Sequence, residues 1–153
     1  MSFSGRPTVL VPHPIPNDGF WPDLDVAEFQ KGYRLPAEYL LDLLVDGITL
    51  AMGEVNGDLA RRKALWQAVG ISHVATADPM ILPERTFMAA SYKRAVYCRA
   101  KAYLLSQFAT FIRRDSAQNL AMEAPQTQET FLSFSQQAVR LIQGRSRTTA
   151  ALI

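Results

Sequence analysis

Catalysis at neutral pH needs a nucleophile, a base or a metal ligand, and this chain offers few. Its only histidines are His13 and His73, both in segments that read as loops. They lack the HExxH pairing and the cysteine spacing of a zinc site. The single cysteine, Cys98, falls inside a helical pattern with no histidine near it in sequence, the setting of a packed thiol rather than an activated one. No glycine-rich phosphate loop and no nucleophile elbow occurs. Asp42 and Asp46 repeat on what should be a solvated helix face. Neither metal nor cofactor is expected, and the chain reads as a non-enzyme.

Cations are the better represented chemistry. Residues 1–60 hold three basic and nine acidic groups, a net of −6, whereas residues 61–153 hold thirteen and five, a net of +8. Such a dipolar chain suits head-to-tail stacking of copies, or one cationic surface facing an anionic partner. Within the predicted third helix, Arg94 and Lys101 share a line, with Lys93 beside it, while Arg99 points elsewhere. A base-reading helix would gather its cations on one face, so specific readout is not expected. Lys93, Arg94 and Lys101 are left as candidates for loose phosphate contact. The last ten residues, Gly144-Arg-Ser-Arg-Thr-Thr-Ala-Ala-Leu-Ile153, mix cations with an apolar end. They follow a helix that Gly144 should terminate in a left-handed turn, which makes them a candidate docking element unless they simply fray.

These groups need a scaffold, and the pattern is helical throughout. One domain suits 153 residues, and an apolar share of 48% is that of an ordinary globular chain. Five of the nine prolines lie in residues 1–22, which predicts an extended arm. Val9, Leu10, Val11 and Ile15 make that arm too apolar for a free linker, so it packs along its own domain or on a neighbouring subunit. Asn17-Asp-Gly-Phe reads as a turn. Asp23 or Asp25 should cap a short helix to about Arg34. Pro36 should open a long helix to about Val69, with Leu40, Leu41, Leu44, Ile48, Met52, Val55, Leu59 and Trp66 as its buried stripe. Gly53 and Gly57 in it mark either a close backbone approach or a bend. A third helix, about 84–113, has apolar residues on more than one side, as a central helix, or one also used between subunits, should. A fourth, about 127–143, buries Phe131, Phe134, Ala138, Leu141 and Ile142. The expected fold is all-α, a four-helix-type bundle over residues 23–143, with an extended N-terminal arm at 1–22 and a C-terminal tail at 144–153. There is no signal peptide pattern and no run of the ~18 apolar residues a membrane span requires, and the lone cysteine suits a reducing cytoplasm.

Three segments together carry a resemblance: Asn17-Asp-Gly-Phe-Trp-Pro-Asp23, Tyr92-Lys-Arg-Ala-Val-Tyr-Cys-Arg-Ala-Lys-Ala102, and the terminal ten residues. They resemble the matching segments of the bacteriophage head completion proteins, the small head–tail connector family of contractile-tailed phages. Ser146 stands where that family would have proline, and the stretch after Ala102 is less charged. The resemblance implies a virion protein made in the bacterial cytoplasm. It implies a homo-dodecameric ring under the portal protein, retaining packaged double-stranded DNA. It also implies a surface for the tail terminator or the next tail-side connector. Arg145, Arg147, Thr148, Thr149, Leu152 and Ile153 would then dock on the portal, and Val9, Leu10, Val11 and Ile15 would form an intersubunit arm. The rival reading is a sequence-independent nucleic-acid-binding protein using the basic half.

Overall fold

The computed structural model describes residues 10, 12–35, 39–78, 86–112 and 128–145. It is built on helices: α1 (Val26–Gly32), α2 (Leu41–Asp58), α3 (Ala60–Ala68), α4 (Phe87–Ile112) and α5 (Gln128–Ile142), with a 3₁₀ turn at Val74–Ala77. Strand pairing among the described residues amounts to β1 (Pro14–Ile15) against β2 (Leu24–Asp25), antiparallel, Ile15 opposite Leu24. The protein is therefore all-α in class.

That small ribbon places residues 12–22 of the proline-rich segment. Asp23 Oδ1 accepts from the Asn17 N–H at 2.8 Å, and Asp18 Oδ1 accepts from the Phe20 and Trp21 N–H groups at 2.9 and 3.0 Å. Gly19, at φ +85°, supplies the conformation such a turn needs and which other residues resist. The turn drives Phe20 and Trp21 into the core, where both are buried. Ile15 is buried as well, in the same apolar cluster. Its assignment to an intersubunit arm is thereby corrected: strand pairing with Leu24 and apolar burial hold it on its own body. Leu10 is half-buried, and Val9 and Val11 lie outside the described residues.

Asp25 is the cap of α1, accepting from Ala27 N at 2.7 Å and Glu28 N at 3.3 Å. Phe29, fully buried, stacks on Tyr97 of α4 with ring centroids 5.2 Å apart. Burying such a side chain contributes about 1.5–3 kcal/mol.

The expected single helix of residues 36–69 is broken. α2 ends at Asp58, Leu59 takes φ −100°, ψ 2°, and α3 restarts at Ala60. Among the described residues no atom lies within 4 Å of a Cβ placed at Gly53 or Gly57, so no second described backbone approaches there. Leu44, Ile48, Val55, Leu59 and Trp66 are buried as the spacing predicts, whereas Leu40 and Leu41 are 75% and 46% exposed. Pro36 lies outside the described residues.

α4 is the central helix. Six consecutive residues, Ala95 to Ala100, are buried, possible only for a helix covered on several sides. It packs most extensively on α5 and next on α2. α5 buries Phe131, Ser135, Ala138, Val139 and Ile142. Leu141 is 39% exposed, a correction to the predicted stripe. The reason is rotational: Ser135 lies on the inner line because its Oγ donates to the buried Ala95 carbonyl at 2.7 Å, which turns position 141 outward.

Candidate functional site

Two segments singled out in the sequence meet in space. Asn17 Nδ2 donates to the Tyr92 hydroxyl at 2.8 Å. That hydroxyl donates to Asn56 Oδ1 at 2.5 Å, and Asn56 Nδ2 returns to Asn17 Oδ1 at 3.0 Å. Three side chains thus close a hydrogen-bond ring joining the N-terminal turn, α2 and α4. Trp21 lies flat on Tyr92, centroids 4.8 Å apart and planes 6° from parallel. One helical turn on, the Tyr97 hydroxyl accepts from Asp25 N at 3.0 Å. Burial holds both tyrosines well above the usual phenol range, so they act as neutral hydrogen-bonding groups. The motif residues Tyr92 and Tyr97 are anchors for the N-terminal segment. Asn56 carried no sequence signal beyond a polar residue beside a buried stripe.

Arg99 is the buried cation. Its Nε donates to Ser135 Oγ at 3.2 Å, and its Nη atoms meet Glu54 at 3.4 Å and Asp58 at 3.0 Å. Tyr103 donates to the same Glu54 carboxylate, and burial followed by that carboxylate pushes its pKa up to about 12. The cluster ties α2, α4 and α5 together and takes Arg99 out of any surface for nucleic acid.

The remaining cations of α4 meet those of α1 at a groove. Tyr33 is the C-cap of α1, Arg34 follows at φ +51°, and Leu35 N donates back to Gln30 O at 3.2 Å. A left-handed arginine costs about 1–2 kcal/mol relative to glycine, and it sets Arg34 beside the exposed ends of α4 side chains. Lys101 Nζ donates to the Tyr33 carbonyl at 2.7 Å and lies 4.6 Å from the Phe131 ring centre. Desolvation, with a smaller contribution from Arg34, lowers its pKa. The Arg94 guanidinium lies 5.1 Å from the Phe134 ring centre. Such cation–ring contacts contribute about 0.5–2 kcal/mol and fix the charged group in place.

The groove beside Tyr33 encloses about 950 Å³, floored by Pro22, Ala89, Ala90 and Tyr97 and rimmed by Lys31, Lys93 and Arg94. Gly32, Tyr33 and Arg94 also border a smaller cavity of about 400 Å³ that takes in Arg34, Lys101, Phe131 and Phe134. Of the three residues the sequence suggested for DNA, Lys93 and Arg94 line the larger groove and Arg94 and Lys101 the smaller cavity beside it; Glu28 holds Lys93 at 3.1 Å. Lys31 and Arg34 complete the set. The sequence did not reveal them, for they sit some sixty residues away, Lys31 on α1 and Arg34 just past its cap. Cys98 borders the smaller cavity, and burial raises its thiol pKa, which disfavours the thiolate. The groove can hold an anionic group and has no described group poised to transform one. Among the described residues no cluster of three or more metal-ligating side chains occurs, and no helix is long and apolar enough to cross a membrane.

At the other end, α5 closes with Gly144 at φ +73°. Gly144 N donates to Leu141 O and Arg145 N to Arg140 O, at 3.0 and 2.9 Å, the glycine-terminated cap the sequence predicts. Arg145 emerges beside Arg61, Arg62 and Leu65. Arg147, Thr148, Thr149, Leu152 and Ile153 lie outside the described residues.

Comparison with known proteins bears on all of this. The profile of the family described as Phage head completion protein (GPL) matches residues 15–153. A protein of Haemophilus phage HP1 (strain HP1c1), described as "Probable head completion/stabilization protein", is 28% identical over 151 residues, covering 99% of each chain. No solved structure matches.

Proposed function

The chain belongs to the phage head completion protein family, a structural component of the virion head, and from that premise we propose that it is the head–tail connector subunit. In this reading, copies form a ring, twelve in number, beneath the portal protein of the filled head. The ring retains packaged DNA and offers the tail terminator, or the next tail-side connector, its attachment surface. The role is structural rather than catalytic. The observation that carries it is that the family match spans residues 15–153, a range that includes the cationic, apolar tail.

The tail is the portal-docking element of this proposal. Arg145 and Arg147 pair with portal carboxylates in charge-assisted contacts, Thr148 and Thr149 supply hydroxyls, and Leu152 and Ile153 fill an apolar groove. Support comes from the α5 cap. Gly144 and Arg145 close the helix using their own backbone, so α5 is capped without any residue beyond Arg145.

Deleting residues 146–153, which spares that cap, is expected to leave the helical circular dichroism intact and to abolish binding to isolated portal rings. Unchanged portal binding would refute the docking role. Electron microscopy of tailed particles tests the wider reading. Density for this protein anywhere but between portal and tail would overturn it.

A further inference from the structure

Lys101 is held by the Tyr33 carbonyl and Lys93 by Glu28, but the other cations of the groove lack a carboxylate partner among the described residues. Lys31 and Arg34 make no ion pair with a described residue, Arg94 meets only an aromatic ring, and Glu28 is already held by Lys93. The floor, by contrast, is apolar. A phosphate backbone would use the cations and gain nothing from Pro22, Ala89 and Ala90. An occupant that uses both must be acidic and apolar at once.

This chain carries such an element. On α2, Asp42, Asp46 and Leu50 follow at four-residue steps, so they form one ridge on the helix surface. All three are exposed, Leu50 to 55%, and neither aspartate makes a hydrogen bond or ion pair with a described residue. Asp42 and Asp46 stand about 6 Å apart along α2 with Leu50 about 6 Å further on, and Arg94 and Lys101 stand about 10.5 Å apart along α4, so their long side chains must lean together to meet the aspartates. The groove and α2 lie on different sides of α4. Arg94 and Lys101 leave the helix roughly 140–180° round from Arg99 and Tyr103, which reach α2.

We propose that the groove of one copy receives the Asp42–Asp46–Leu50 ridge of α2 from a second copy of this chain. Arg94 and Lys101 face the two aspartates, Lys31 and Arg34 close the rim, and Leu50 covers the apolar floor. Because the two patches differ and occupy separate faces, the contact is head-to-tail, the kind that closes into a ring when the rotation closes. The inference rests on the connector reading and identifies the surfaces by which its copies join.

A charge swap in the full-length chain tests it. One variant carries Arg94→Glu with Lys101→Glu, the other Asp42→Lys with Asp46→Lys. Sedimentation from micromolar to near-millimolar concentration should show wild-type self-association that weakens with salt. Each variant alone sets like charges opposite and should lose association about tenfold or more. Mixed, the two should associate again, because acidic groove meets basic ridge and native groove meets native ridge. If Lys101→Glu disturbs the circular dichroism, Lys31→Glu with Arg94→Glu, both at exposed sites, replaces it. A wild-type chain that stays monomeric overturns the proposal. So do variants that associate normally, or a mixture that remains apart. Loss of binding to a labelled DNA duplex in the groove variant, with the ridge variant self-associating normally, would instead make the groove a phosphate site. The connector reading fails on other grounds, the position of the protein in imaged particles, so the two failures are distinguishable.

Discussion

Tyr92→Phe removes one oxygen from the point where the N-terminal turn, α2 and α4 meet. The Tyr92 side chain is fully buried, and the change keeps its ring and the Trp21 stack. Two hydrogen bonds are lost. Asn17 Nδ2 keeps a second acceptor in the Pro22 carbonyl at 3.0 Å, whereas Asn56 Oδ1 loses its donor. Each neutral bond contributes about 1 kcal/mol, and a stranded buried acceptor costs about 1–3 kcal/mol. Asn17 and Asn56 are only half-buried, so water relieves part of that penalty and the expected loss is about 2 kcal/mol. For a chain of this length that is a fall in Tm of about 4–8 °C. Urea unfolding followed by circular dichroism and tryptophan emission reads it directly, since Trp21 sits on the altered ring. Asn56→Ala should cost a similar amount, and the double variant less than the sum, because both remove the same bond. A Tyr92→Phe chain within about 0.5 kcal/mol of wild type, or strict additivity with Asn56→Ala, would refute the reasoning.

Ile142→Ala should cost about 2–4 kcal/mol in denaturant unfolding and Leu141→Ala under about 1 kcal/mol, because only the first is buried; the reverse order would mean α5 is rotated. Asp18 is raised by burial, but Lys63 at 2.8 Å and two backbone N–H groups outweigh that and leave its pKa below the ordinary 3.8. Its contribution is therefore present above that value and lost as pH falls through the lowered one, so thermal scans of Asp18→Asn and wild type should differ at pH 7 and converge in acid. Arg99→Met should stay within about 1 kcal/mol of wild type, because Glu54 and Asp58 are half-exposed and can rehydrate. Arg99→Ala, which also leaves a cavity, should unfold at distinctly lower denaturant.

Helical class, a cap at Asp23 or Asp25, the Gly144 cap, the solvated Asp42 and Asp46 and the burial of α4 on more than one side were legible in the chain. Each is set by residue type and spacing within a few positions, the range over which caps and periodicity act. The motif residues Asn17, Trp21, Tyr92 and Tyr97 were also visible, though their work was not. Only the fold showed that they clasp one another, because a hydrogen bond between positions 17 and 92 leaves no periodic trace. The break at Leu59 and the outward turn of Leu141 were decided by packing: helical periodicity is satisfied by two rotations of an apolar stripe, and the partner helix selects one. The groove belongs to tertiary structure altogether. Lys31 and Arg34 lie some sixty residues from Arg94 and Lys101, and a cationic patch exists only where the chain has brought distant like charges together despite their repulsion.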